Sequence, residues 1–160
     1  MKYTYNNMKI FLDTADTEII SKYFSTGLVD GVTTNPTLIM KSGRNPEDVY
    51  QEIKDIGVSD ISMEVMGSDL EMYDEGIRLY KKFGDVATIK VPCTREGLIV
   101  CKRLSEQGIK VNVTLIFCAS QAVLAAKAGA TPKVFDQMYD HILTDKGMEI
   151  FENDWQSVVK

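Results

Sequence analysis

Three observations on this 160-residue sequence predict an α/β fold of βα units around a parallel sheet. Short β-branched runs alternate with single helical patterns, which is the signature of parallel pairing. Glycines close the helical patterns at Gly27, Gly57, Gly84, Gly108 and Gly129, and a new strand is due within a few residues of each. Within the runs, apolar and polar side chains alternate, and the polar set recurs near the C-terminal end of every run. The order predicts about five parallel strands followed by C-terminal helices, an incomplete barrel.

Residues 1 to 7 are polar and aromatic without period, and Met8 could itself be a start, so residues 1–7 read as an extension and 8–160 as one partial domain. The first run, Lys9 to Asp13, puts Phe11 and Asp13 on one face and Ile10 and Leu12 on the other. In the second, Gly31 to Asn35, Thr33 and Asn35 oppose Val32. Asn45-Pro46-Glu47-Asp48 then starts a helix, with an N-cap, a proline at the first position and two acids in the first turn. Ser62 and Glu64 oppose Ile61, Met63 and Val65 in the third run, and Ser68-Asp69-Leu70-Glu71 has capping-box spacing. The fourth run, Val86 to Val91, sets Thr88 and Lys90 against Ala87, Ile89 and Val91, and Thr94-Arg95-Glu96 opens the next helix. The fifth, Lys110 to Phe117, sets Asn112 and Thr114 against Val111, Val113 and Leu115. Ser120 to Ala128 is alanine-rich, as suits a helix close to a sheet.

In a parallel barrel the polar ends converge at the mouth that carries the active site. Asp13, Asn35, Glu64, Lys90 and Thr114 are the residues expected there. Burial disfavours the charged form of a lysine and frees its amine to attack a carbonyl. A strand lysine otherwise snorkels to water, or joins a buried ion-pair network that only fixes register. Two carboxylates and an amide beside Lys90 favour Schiff-base chemistry, because imine formation and carbon–carbon cleavage both require placed proton donors and acceptors.

After Gly129-Ala130 a sixth strand is due. Thr131-Pro132-Lys133 instead leads into Val134, Phe135 and Met138 at helical spacing, and a second helical pattern runs from about Thr144 through Met148, Phe151, Trp155 and Val158. Five strands do not close an eight-stranded barrel, and the sheet is left with open edges.

The net charge of −5, from 18 cationic and 23 anionic side chains, argues against a nucleic-acid or anionic-membrane surface. No run has membrane-spanning length and the N-terminus lacks a signal-peptide core, so a cytoplasmic location is expected. Cys93, Cys101 and Cys118 lack Cys-x-x-Cys spacing and read as small buried thiols; with His141 the single histidine, no metal site is expected.

Phe-Leu-Asp-Thr-Ala at 11 to 15, Gly-Val-Thr-Thr-Asn-Pro-Thr-Leu-Ile at 31 to 39 and Ile-Lys-Val-Pro-Cys-Thr-Arg-Glu-Gly-Leu at 89 to 98 closely resemble the signatures of the transaldolase family, in the small-subunit branch that also holds fructose-6-phosphate aldolase. The resemblance runs from Met8 through Asp154-Trp155. It implies a class I aldolase-type (β/α)8 barrel with no metal or organic cofactor. By resemblance, Lys90 is the Schiff-base lysine, Asp13 moves the proton of the hydroxyl at the cleaved bond, Asn35 and Thr33 bind substrate, and Glu64 and Thr114 position water. The implied partners are sugar phosphates: fructose 6-phosphate, sedoheptulose 7-phosphate, erythrose 4-phosphate and glyceraldehyde 3-phosphate. The implied setting is the pentose phosphate pathway, and the implied assembly a homo-oligomer. Glu64 favours transaldolase, since fructose-6-phosphate aldolase carries Gln there. The family has about three further βα units between the Ala-Gly-Ala of helix five and the Pro-Lys-Val-Phe of the final helix, and they carry its phosphate-binding residues. This sequence lacks them, leaving Lys41, Arg44 and Arg95 as the candidate cations for a substrate phosphate. Alternatives to the transferase are therefore an aldolase-like lyase, or an inactive truncated member that serves as an assembly partner.

Overall fold

A computed structural model describes residues 9–130 of the chain. Five parallel strands, β1 (Phe11–Asp13), β2 (Gly31–Thr33), β3 (Ile61–Glu64), β4 (Ala87–Pro92) and β5 (Val111–Thr114), pair in sequence order and form a half-barrel. Neighbours in the sheet are also neighbours in sequence, so every crossover passes over the same face. The helices are α1 (Thr17–Phe24), α2 (Pro36–Ser42), α3 (Pro46–Ile56), α4 (Asp69–Phe83), α5 (Arg95–Ser105) and α6 (Ala119–Lys127). The expected incomplete barrel is the fold observed.

The alternation in the strands explains which face the helices cover. Ile61, Met63, Val65, Ala87, Ile89, Val91, Val111 and Val113 are buried beneath the helices, together with Val49, Ile53, Met72, Leu79, Val100 and Leu104 from the helices themselves. Tyr50 and Phe83 meet edge to face at 5.9 Å, locking α3 against the end of α4. Burying such side chains is worth roughly 1.5–3 kcal/mol each, which makes this layer the main source of stability.

Local signals set the helix ends. Asn45 accepts from the Glu47 amide with Pro46 at the first helical position, and Ser68 and Glu71 form the reciprocal capping box expected of them. At the start of α5, Gly97 lies so close to β4 that a Cβ there would stand 2.0 Å from the Pro92 carbonyl oxygen. Only glycine permits that approach, and it clamps the helix onto the end of the strand that carries Lys90.

Two boundaries differ from expectation. The second strand stops at Thr33, and Asn35-Pro36 opens the short helix α2, ended by Gly43 in the left-handed conformation. The fifth strand stops at Thr114, because Leu115 turns to φ 61° and carries the chain out of the sheet. None of the helices among the described residues is long and apolar enough to cross a membrane. The extension 1–7, the helical patterns at Val134 to Met138 and from Thr144, and His141 lie outside the described residues.

Candidate active site

All six residues of β4 are buried, so a lysine within it must find its partners inside the protein. Lys90, 7% exposed, does so with two oxygens: Glu64 Oε2 at 3.1 Å and the Thr34 main-chain carbonyl at 2.9 Å. The Glu64 contact follows from register, since Glu64 and Lys90 are direct partners across β3 and β4 and share the inner face. The Thr34 contact follows from the chain direction after β2. Thr34 is fully buried, its amide (3.1 Å) and its hydroxyl (2.9 Å) both donate to the Ser62 carbonyl, and its own carbonyl is thereby turned to the lysine. The Tyr50 hydroxyl reaches Thr34 from α3, and burial pushes that hydroxyl above the usual tyrosine range.

Asn112 stands opposite Lys90 on β5, and its Nδ2 reaches over β4 to donate to Ser62 Oγ at 3.2 Å. One level down, Thr88 donates to Asp60 Oδ1 at 2.7 Å, and Lys110 lies 3.9 Å from the other Asp60 oxygen. The inner face is thus a polar layer with Lys90 and Glu64 at its centre. Their side chains are only 9% and 8% exposed, so charge on either is felt at close range and with little screening.

The remaining expected residues lie at or just beyond the same ends of the strands. Asp13 is exposed at the end of β1, and its Oδ1 accepts from the Thr33 hydroxyl at 2.8 Å. Asn35 caps α2, its Oδ1 accepting from the Leu38 amide at 2.9 Å, so the orientation of the amide is set by a helix and not by a strand. Thr114 closes β5 opposite Pro92, and its carbonyl accepts from the Cys93 amide at 2.8 Å. The structure therefore brings Lys90 to Glu64 and Asp13 to Thr33, while the Asn35 side chain is bonded to the first turn of α2 and the Thr114 carbonyl to the Cys93 amide beyond β4. Of the candidate cations, Arg44 pairs with Glu52 and reaches Thr17, and Lys41 and Arg95 are exposed.

Sequence reasoning missed two contributors. Asn112 lay on the polar face of its strand, a signal that was there to be used. Thr34 left no such signal, because what it offers is a main-chain carbonyl.

Residues 10–135 match the family described as transaldolase/fructose-6-phosphate aldolase. A probable transaldolase of Nitrosopumilus maritimus is 53% identical over 124 residues, 77% of this chain and 55% of its own length. One from Hyphomonas neptunium is 50% identical over 147 residues, 91% of this chain and 67% of its own. One from Caulobacter vibrioides is 38% identical over 212 residues that take in 94% of this chain and 97% of its own. Since this chain has 160 residues, that alignment contains a stretch present in the relative alone. Several of the relatives are matched over little more than half their length. The chain belongs to the transaldolase/fructose-6-phosphate aldolase family, as a member markedly shorter than these relatives.

Proposed function

We propose that this chain carries a transaldolase-type site in which Lys90 forms a Schiff base with the ketone of a sugar phosphate. The observation that supports it is the amine held between Glu64 and the Thr34 carbonyl at the inner, C-terminal end of β4. Glu64 is placed to take the proton the amine must shed before it attacks the carbonyl carbon. Loss of water then gives an iminium whose positive charge faces the Glu64 carboxylate and whose remaining N–H has the Thr34 carbonyl as acceptor. Asp13 takes the proton of the hydroxyl at the bond that breaks, the aldose phosphate leaves, and the three-carbon unit stays on Lys90 as an enamine. Asn35 and Thr33 hold that unit, and Glu64 with Thr114 places the water that forms and later hydrolyses the imine. In the reverse direction the enamine adds to a second aldose phosphate, and the reaction needs no cofactor.

Donors of this chemistry are fructose 6-phosphate and sedoheptulose 7-phosphate, and acceptors are erythrose 4-phosphate and glyceraldehyde 3-phosphate. This is the exchange of the pentose phosphate pathway, set in the cytoplasm and carried by a homo-oligomer. Glu64 in place of Gln favours the transferase over the lyase. Release of glyceraldehyde 3-phosphate from fructose 6-phosphate only when erythrose 4-phosphate is supplied supports transfer. Release without acceptor supports the lyase, and activity that persists in Lys90→Met refutes both.

Among the described residues β1 and β5 end the sheet, and in a chain that spans about half the length of several relatives this favours a second reading. Here the chain is a non-catalytic partner that joins a full-length relative. Co-elution with that relative on gel filtration supports this reading, and separate elution refutes it.

A further inference from the structure

The three cysteines differ in a way that equal burial would not produce. Cys101 is buried, donates to the Ala128 carbonyl at 3.6 Å, and is pushed up to about 11 by its burial. Cys118 is exposed at the N-cap of α6, where the Ser120 hydroxyl, 3.1 Å from its sulfur, and the first-turn amides of Gln121 and Ser120 hold the thiol below its usual range. Cys93 follows the last residue of β4, half-buried, and is pushed up by that burial and then by the nearby Cys118. Both sulfurs contact Gln121: its main-chain carbonyl accepts from Cys93 Sγ at 3.9 Å, and its side-chain oxygen from Cys118 Sγ at 3.5 Å.

We propose that Cys118 and Cys93 form a peroxide-reactive thiol pair at the mouth of the half-barrel, with Cys118 the attacking sulfur and Cys93 the resolving one. The Cys118 thiolate attacks one oxygen of a hydroperoxide. An S–O bond forms, the O–O bond breaks, and the leaving hydroxide (or alkoxide) takes up a proton. Cys93 then loses its proton and attacks the sulfenic sulfur, so that an S–S bond forms, the S–O bond breaks and water leaves. The peroxide is reduced by two electrons, and each cysteine gives one. The cross-link ties the end of β4 to the start of α6, three residues from Lys90.

The test is intact-mass and peptide mapping of the full chain after hydrogen peroxide treatment, on wild type, Cys118→Ser, Cys93→Ser and Cys101→Ser. Wild type and Cys101→Ser are expected to lose two hydrogens in a Cys93–Cys118 link that dithiothreitol reverses. Cys93→Ser is expected to stop at a dimedone-trapped adduct on Cys118, and Cys118→Ser to lose both products. A link through Cys101, a Cys118–Cys118 dimer as the main product, or wild type no more reactive than Cys118→Ser would overturn the proposal.

Discussion

Replacing Glu64 by methionine removes one charge of a buried pair and leaves the other in place. At 3.1 Å the pair attracts by roughly 5 kcal/mol at the effective dielectric of about 20 that suits such sites. The Thr34 carbonyl stays with the lysine in both proteins and drops out of the comparison, whereas removing Glu64 also relieves the desolvation cost of its buried carboxylate, which offsets part of that loss. Glu64→Met is therefore expected to destabilise the protein by about 3 kcal/mol, in the range found when one member of a buried pair is removed. The assay is urea unfolding at pH 7, where a change of this size moves the midpoint by about 1–3 M. The double variant Lys90→Met/Glu64→Met replaces both charges with apolar groups of similar length, and it is expected to return to within about 1 kcal/mol of wild type. A single-variant cost below about 1 kcal/mol, or a double variant equal to the sum of the singles, would refute the claim that the two charges depend on each other.

Gly97→Ala would drive a Cβ to 2.0 Å from the Pro92 carbonyl, and neither main chain can yield without opening the α5–β4 contact. It is expected to cost about 3 kcal/mol or more in thermal or urea unfolding. Gly27→Ala, with open space around it and only its φ of +72° to strain it, is expected to cost about 1 kcal/mol. Lys82 and then Arg78 hold the Glu47 carboxyl below the usual range, so its contribution is present at neutral pH and fades as pH falls through that lowered value. Because the pair is partly solvated, Glu47→Gln is expected to lose no more than about 1 kcal/mol at pH 7, with the difference from wild type closing in acid. A gap that widens in acid would contradict the sign.

Much of the fold was legible because it rests on period and punctuation. Five runs with alternating apolar residues became five strands, with Glu64 and Lys90 in register on neighbouring strands, while Asn35 lies past the end of its strand as a helix cap. Helix α2 escaped notice although Asn35-Pro36 and Gly43 are the same start and stop signals that marked α3. At seven residues the helix is too short to show an apolar period, and Asn35 fitted the strand alternation equally well. The site was legible as far as side chains carry it. The Thr34 carbonyl was not, since every residue has one and only the path of the chain after β2 aims it at Lys90. Nor was the difference among the cysteines, because Cys118 is exposed only where Leu115 leaves the strand early and α6 begins at residue 119.

The central claim is that Lys90 is a nucleophilic amine in a folded pocket, and borohydride trapping tests it most directly. The chain is incubated with fructose 6-phosphate and borohydride, then read by intact mass and peptide mapping. A reduced ketose or dihydroxyacetone adduct confined to Lys90, absent from Lys90→Met, is the predicted result. A cooperatively folded chain that gives no adduct, or one that scatters over exposed lysines and persists in Lys90→Met, would contradict it.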